Sequence, residues 1–450
     1  MFYNLSKYWV SLLSILTLLL FFLIGYITPS LWANETFKSL FLKIGFYSCP
    51  FLCVLWLITN FKNIFKDKDY LRYLIVCIGV VLVFVWTYKF KITYRMALLL
   101  PILCIVYSFI YRKWKKPDKV MIVFFLLMGM RFLSFFWVDN RAFFWQDINS
   151  NLFILLLIAP IACIGFRAKE EDYSAFVTLS FKLFLFLLTF NVCLYLLVSN
   201  NLENSLFSFL TFNKNYMPFY EILSWTTFKH PSFIAWIMLV IWGMGVLEWR
   251  KDNRKITFLE VVLYGILLLS FAFMVQARVV IVGVPLSIFT LIWFYITKEW
   301  SIKKRVFIDA LVLLSGILTI YLLVTYTNYF SDPPREVIFK EAFENIKQHP
   351  IIGNGSSFQR IISEKIGFFH IHNDFLAIFI DLGSIGLSLL IFWLLAIYQK
   401  GLYYKDNSII FTIAVFLLLM NTDVILNYRI GTYILLPFLI LVFFKEEKTT

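Results

Sequence analysis

Predominantly apolar runs of about 20 residues, the length that crosses a bilayer as a helix, recur from Tyr8 to Phe444, with short polar segments between them. A membrane β-barrel would instead alternate apolar and polar positions over segments of about 10 residues. Taking roughly 16 to 25 apolar residues as one span places spans near 8–28, 39–60, 73–88, 96–111, 120–138, 152–166, 174–199, 232–248, 256–275, 279–297, 306–327, 372–398, 408–420 and 430–444. The pattern predicts an all-α polytopic membrane protein of about 12–14 transmembrane helices, with residues 1–450 forming a single integral membrane domain. The first run, after Lys7, reads as a retained span, because Trp32 and Glu35 stand where the small-residue cleavage pattern of a signal peptide would fall.

Composition agrees: 61% of residues are hydrophobic, 15% are charged, and the mean hydropathy is +0.81. Water-soluble enzymes and transcription factors are excluded. The net charge of +14 does not point to nucleic acid, because the lysines and arginines sit in small clusters between apolar runs rather than in one stripe. With a cytoplasmic N-terminus, the inner segments total 63 residues and hold 24 Lys/Arg, whereas the outer segments total 118 and hold 14. The positive-inside rule then sets the orientation, with Arg112-Lys113-Trp114-Lys115-Lys116 and Lys303-Lys304-Arg305 as the clearest markers. Both termini are expected in the cytoplasm, and the two longest polar segments, 200–231 and 328–371, outside. The six cysteines lie in or beside apolar runs without the paired spacing of a metal site, so neither a disulfide framework nor a metal is expected.

Chemistry is therefore sought in the outer segments. Within 328–371, Pro333-Pro334 precede Val337, Ile338, Phe339, Phe343 and Ile346 near helical spacing, interleaved with Arg335, Lys340, Glu341, Glu344 and Lys347. This predicts an amphipathic helix lying on the bilayer surface and ending at His349-Pro350. Ile351-Ile352-Gly353-Asn354-Gly355 follows as a turn whose N–H groups could cradle an anion, although an ordinary turn is the simpler expectation. All four histidines, His230, His349, His370 and His372, fall on the outer side. A histidine there can serve as a base for a sugar hydroxyl.

His372-Asn373-Asp374 opens a span that continues through Asp381-Leu382-Gly383-Ser384-Ile385-Gly386-Leu387. Together with His349-Pro350-Ile351-Ile352-Gly353-Asn354-Gly355, Gln276-Ala277-Arg278 and Lys229-His230-Pro231, this order of pieces resembles the O-antigen ligase and polymerase superfamily. The chain carries Ala277 where that family often has serine, Asp381 where it often has glutamate, and Lys229 where an arginine is usual. The resemblance implies a glycan donor on undecaprenyl pyrophosphate and an acceptor that is lipid A-core or another lipid-linked glycan, at the periplasmic face of the bacterial inner membrane. It implies His372 as catalytic base, and Arg278, Arg335, Lys229, His230, Asn373 and Asp374 as substrate-binding residues, with no cofactor. A cation at headgroup depth needs an anionic partner, which a lipid phosphate supplies. Asp381, about 13 Å deeper than His372 along a helix, reads as a partner for another span, and Gly383 and Gly386 as sites of close helix packing. Outside glycosyl transfer, Arg131 and Lys182 within spans would fit a transporter or flippase.

Overall fold

The computed structural model describes residues 69–87, 90–138, 152–201, 231–252, 255–275, 277–326, 333–367, 371–421, 424–426 and 429–446, with scattered positions in 19–58 and 141–145. Lys229, His230 and His370 lie outside the described residues. The described elements are helical throughout: α1 (Tyr70–Val85), α2 (Phe90–Tyr111), α3 (Lys119–Leu133), α4 (Leu152–Gly165), α5 (Glu170–Asn201), α6 (Pro231–Lys251), α7 (Phe258–Met274), α8 (Arg278–Ile296), α9 (Ile302–Tyr326), α10 (Pro333–Gln348), α11 (Phe358–Ile366), α12 (Asp374–Tyr403), α13 (Asn407–Met420) and α14 (Arg429–Phe438). Six of these carry stretches long and apolar enough to cross a membrane, and five shorter helices are comparably apolar. The protein is an all-α polytopic membrane protein, as the apolar runs predicted.

The chain folds into two compact units, one from Met1–Pro117, Ile158–Ser287 and Tyr433–Thr449, the other from Asp118–Leu157 and Ile288–Thr432 with Thr450. In the first unit α5 is the hub and packs against α1, α6 and α7. The apolar stretches of α5 and α6 are each 83% buried, the signature of helices enclosed by protein rather than lipid. Buried charge in this unit is matched locally: Lys182 pairs with Glu260, which also closes a capping box with Thr257 at the start of α7. Arg72 grips Asp172, its Nε lying 2.6 Å from the carboxylate. Lys182 is thus half of an ion pair anchored at a helix end.

In the second unit α12 packs against α3 and α13 along its length and against α10 and α11 near its start. The run of α12 is interrupted at Gly383, whose φ of 65° and ψ of −163° break the helix. Beyond the break, Ser384–Tyr403 is long enough at about 1.5 Å per residue to cross a hydrocarbon core of about 30 Å alone. The residues before the break, with α10 and α11, build a core of their own from Ile338, Ala342, Ile346, Ile362, Ile371 and Ile380. This corrects the expected surface-lying helix in part. Ile338 and Ile346, with Ala342 between them, form an i, i+4, i+8 stripe that packs on protein, while Val337 and Phe343 are 53% and 54% exposed. The stripe packs on α11, which was not among the expected elements, and on the start of α12.

Candidate active site

The site is built where α10 gives way to a loop that enters the break in α12. Proline at 350 disfavours helical geometry for His349 before it, so α10 ends there. The loop then crosses α12 backbone to backbone. Ser384 N–H donates to the Pro350 carbonyl at 2.8 Å and Ile385 N–H to that of Ile351 at 3.2 Å. In return Asn354 N–H donates to the Ile380 carbonyl at 3.0 Å and Gly355 N–H to that of Asp381 at 2.8 Å. Helix carbonyls and amides freed by the break are thereby satisfied by the loop, as buried backbone requires.

Seven consecutive backbone N–H groups, from Gly353 to Gln359, are committed within the fold: to His349, Ile380 and Asp381 carbonyls, the Ser134 hydroxyl, Asp381 Oδ2, the Gly355 carbonyl and Asp381 Oδ1 in turn. The turn is therefore a structural anchor, the simpler of the two expectations, and its amides are not turned toward an anion. Ser356 adds a tie to the end of α3, its hydroxyl donating to the Arg131 carbonyl at 2.9 Å.

Asp381 is 1% exposed, and its carboxylate accepts from Ser357 N–H at 3.0 Å and Gln359 N–H at 2.9 Å. These amides belong to the first turn of α11, whose own cap residue Ser357 lies at φ 75° and makes no side-chain cap bond. The backbone of the incoming loop is thus among the partners of Asp381. α11 closes on Gly367 at φ 81°, with its N–H on the Ser363 and Glu364 carbonyls. That glycine, with Ile361, Ile362 and Ile366 before it, is the sequence signal by which α11 was legible and missed.

His372 follows at φ 57°, a left-handed conformation that is uncommon for a side-chain-bearing residue. Asn373 then caps α12, its side-chain oxygen accepting from Leu376 N–H at 2.9 Å, so the helix starts at Asp374 rather than at His372. Asp374 is fully buried, and its carboxylate accepts from Ile425 N–H at 2.7 Å and Leu426 N–H at 3.1 Å. The Leu426 carbonyl in turn accepts from the buried Arg131 guanidinium at 2.8 Å. One peptide segment is thus held from both sides, and Arg131 serves a structural contact inside the unit. His372 itself is half-buried, whereas His349 is exposed.

Of the residues read from the sequence, Arg335, His372, Asn373 and Asp374 belong to the second unit and Arg278 to the first. Arg278 is the first residue of α8, and Arg335 stands in the first turn of α10. His372, Asn373 and Asp374 are brought together with the Gly353 and Gly383 backbones through α12. Residues 263–391 match the family model described as O-antigen ligase. This stretch belongs to the O-antigen ligase and polymerase superfamily. It runs from α7 into α12 and contains Arg278, Arg335 and the whole of 349–386, while Lys229 and His230 precede it. Enzymes of this superfamily are membrane glycosyltransferases that act on lipid-linked glycans. No curated protein is similar enough to the chain to rank as a match.

Proposed function

We propose that the protein is an O-antigen ligase that transfers a glycan from undecaprenyl pyrophosphate to lipid A-core at the periplasmic face of the inner membrane. The observation that carries this reading is His372: a half-buried residue in the family-matched stretch, left-handed in its backbone and directly before the cap of α12. In the reaction, an acceptor hydroxyl oxygen attacks the anomeric carbon of the donor sugar. Its proton passes to the His372 imidazole, the new glycosidic bond forms, and the bond from the anomeric carbon to the pyrophosphate oxygen breaks. Arg278, Arg335 and Lys229 stabilise the charge that builds on the departing pyrophosphate, while His230 and Asn373 orient sugar or phosphate groups. Asp374 acts through the backbone it holds. General-base assistance contributes roughly 10²–10⁴ in rate, and a positioned cationic clamp contributes on a similar scale. The mechanism calls for no metal ion.

The test is transfer by the purified full-length protein from a lipid-linked donor, with chelator present. His372→Ala is expected to abolish transfer with normal expression, and His370→Ala to retain much of it. Arg278→Lys keeps the charge but loses the planar fork, so it is impaired, and Arg278→Ala more so. A histidine base works only while neutral, so transfer declines as pH falls. Normal turnover by His372→Ala, or a strict need for a divalent ion, ends this mechanism. The surface glycolipid of a deletion strain separates the two enzymes of the superfamily. Core without O-glycan, with polymer left on the carrier, marks a ligase; core bearing a single repeat marks a polymerase.

A further inference from the structure

We propose that Asp381 is a positioning residue for the transfer reaction, fixing from within α12 the segment that delivers His372. The inference rests on the glycosyl-transfer reading above. A carboxylate at 1% exposure is costly unless its oxygens are satisfied. Asp381 meets that demand with two backbone N–H groups, those of Ser357 and Gln359. It thereby caps α11 from a different helix, supplying the anionic group that favours a helix N-terminus and that Ser357 does not supply. Because it is enclosed, its carboxylate is not offered to a substrate, and any influence on the reaction passes through the backbone it holds.

That backbone begins at Ser357 and returns to α12 at His372. Its far end is fixed by Asn373 and Asp374, the latter on the Ile425 and Leu426 amides. Asp374 and Asp381 stand seven residues apart, roughly two helical turns, and so share a face of the helix. One carboxylate holds the start of the excursion and the other borders its end. Between them Ile362 packs into the core that Ile338, Ile346 and Ile380 form, which keeps α11 seated on α12. Among the described residues of this region, the side-chain-bearing ones with positive φ are Ser357 and His372, at the two ends of the same excursion. Non-glycine residues persist in such conformations when their surroundings over-determine them, and at Ser357 the bond from its N–H to Asp381 is part of that constraint.

The experiment compares Asp381→Asn and Asp381→Glu in the full-length purified protein, by steady-state transfer from a lipid-linked donor and by amide hydrogen exchange without donor. Asparagine keeps the size but turns an NH₂ group toward one of the two backbone amides; glutamate keeps both acceptor oxygens. In Asp381→Asn, exchange is expected to rise in peptides covering 357–372 and to stay unchanged in α13. The turnover number should fall about a hundredfold, the scale of a small misplacement of reacting groups, with the donor KM within about threefold of wild type. Asp381→Glu should recover most of that loss, and Glu344→Gln, an exposed position on α10, should match wild type. Wild-type turnover in Asp381→Asn, or lost turnover with unchanged exchange across 357–372, overturns the proposal. If Asp381→Asn does not accumulate, Asp381→Glu decides: wild-type exchange with no transfer overturns it, and parallel recovery of both supports it. Absence of transfer by the wild-type protein removes the functional reading instead, and the exchange pattern still judges whether Asp381 fixes the segment.

Discussion

Gly353 and Gly383 meet where a methyl group on either would occupy the other's place. A Cβ on Gly383 would lie 2.2 Å from the Ile351 carbonyl oxygen, and one on Gly353 would lie 2.5 Å from that of Asp381. Both also sit at positive φ, which side-chain-bearing residues resist. The close approach that the glycine pair in α12 promised is therefore real at Gly383, but the visitor is a loop rather than a second span. Gly367 separates the two effects, since among the described residues a Cβ there meets nothing within 4 Å although its φ is 81°. Gly367→Ala is expected to cost only left-handed strain, about 1–2 kcal/mol. Gly383→Ala adds an immovable backbone clash and should lower the thermal unfolding midpoint well beyond Gly367→Ala; equal midpoints would contradict the loop's entry into the break. Sequence spacing marked both glycines without saying which backbone each admits.

For single elements the decisive case is α10. Its apolar positions at helical spacing were legible, yet spacing alone leaves open which of them face protein. The structure sorts them: Ile338 and Ile346 are 1% and 7% exposed against α11 and α12, while Phe343 remains 54% exposed. Truncating a buried aliphatic side chain removes packing and leaves a cavity, at about 2–5 kcal/mol. Ile338→Ala should therefore destabilise the protein by that order in chemical unfolding of the detergent-solubilised chain, whereas Phe343→Ala should stay within about 0.5 kcal/mol. The reverse ranking would return α10 to the bilayer surface as its main contact. A second element-level lesson concerns the start of α12. The histidine and asparagine at 372 and 373 were read as the opening of the helix, and the cap by Asn373 shifts that opening to Asp374. The shift leaves His372 outside helical geometry, where its left-handed backbone aims it independently of the helix.

Across the whole molecule, charge asymmetry remains the argument for orientation. The inner segments hold 24 Lys/Arg in 63 residues against 14 in 118 outside, a contrast that the positive-inside rule converts into topology. Single cysteines introduced in a background lacking the native ones should react with a membrane-impermeant reagent in intact cells at 340–365. Those at 112–119 and 298–305 should react only after the membrane is opened. Labelling of 340–365 only from the cytoplasm would remove the catalytic argument, since no extracytoplasmic acceptor could then reach His372. Interior charge is also matched within each unit, Lys182 with Glu260 and Arg131 with the Leu426 carbonyl. The charges that would have favoured a transporter therefore have structural partners.

Features that local rules govern were readable from residue order. A backbone in lipid must satisfy its hydrogen bonds within its own helix, so the apolar runs suffice to announce spans. The start of α12 was legible to within two residues, and the Asn373 cap, which bonds within its own first turn, fixed it at Asp374. Order and spacing of the His-Pro and His-Asn pieces likewise announced the superfamily. The roles of Asp381, Arg131 and most of the 353–359 amides emerged only from the packed chain, because their partners lie far along it: Asp381 reaches back 24 residues, Ser134 meets Ser356 across 222, and Arg131 meets Leu426 across 295. An isolated aspartate or arginine in an apolar run reads as an uncompensated desolvation cost. Which distant amide or carbonyl satisfies it is a property of the packed chain, because hydrogen-bond partners are set by proximity in space and not by separation in sequence.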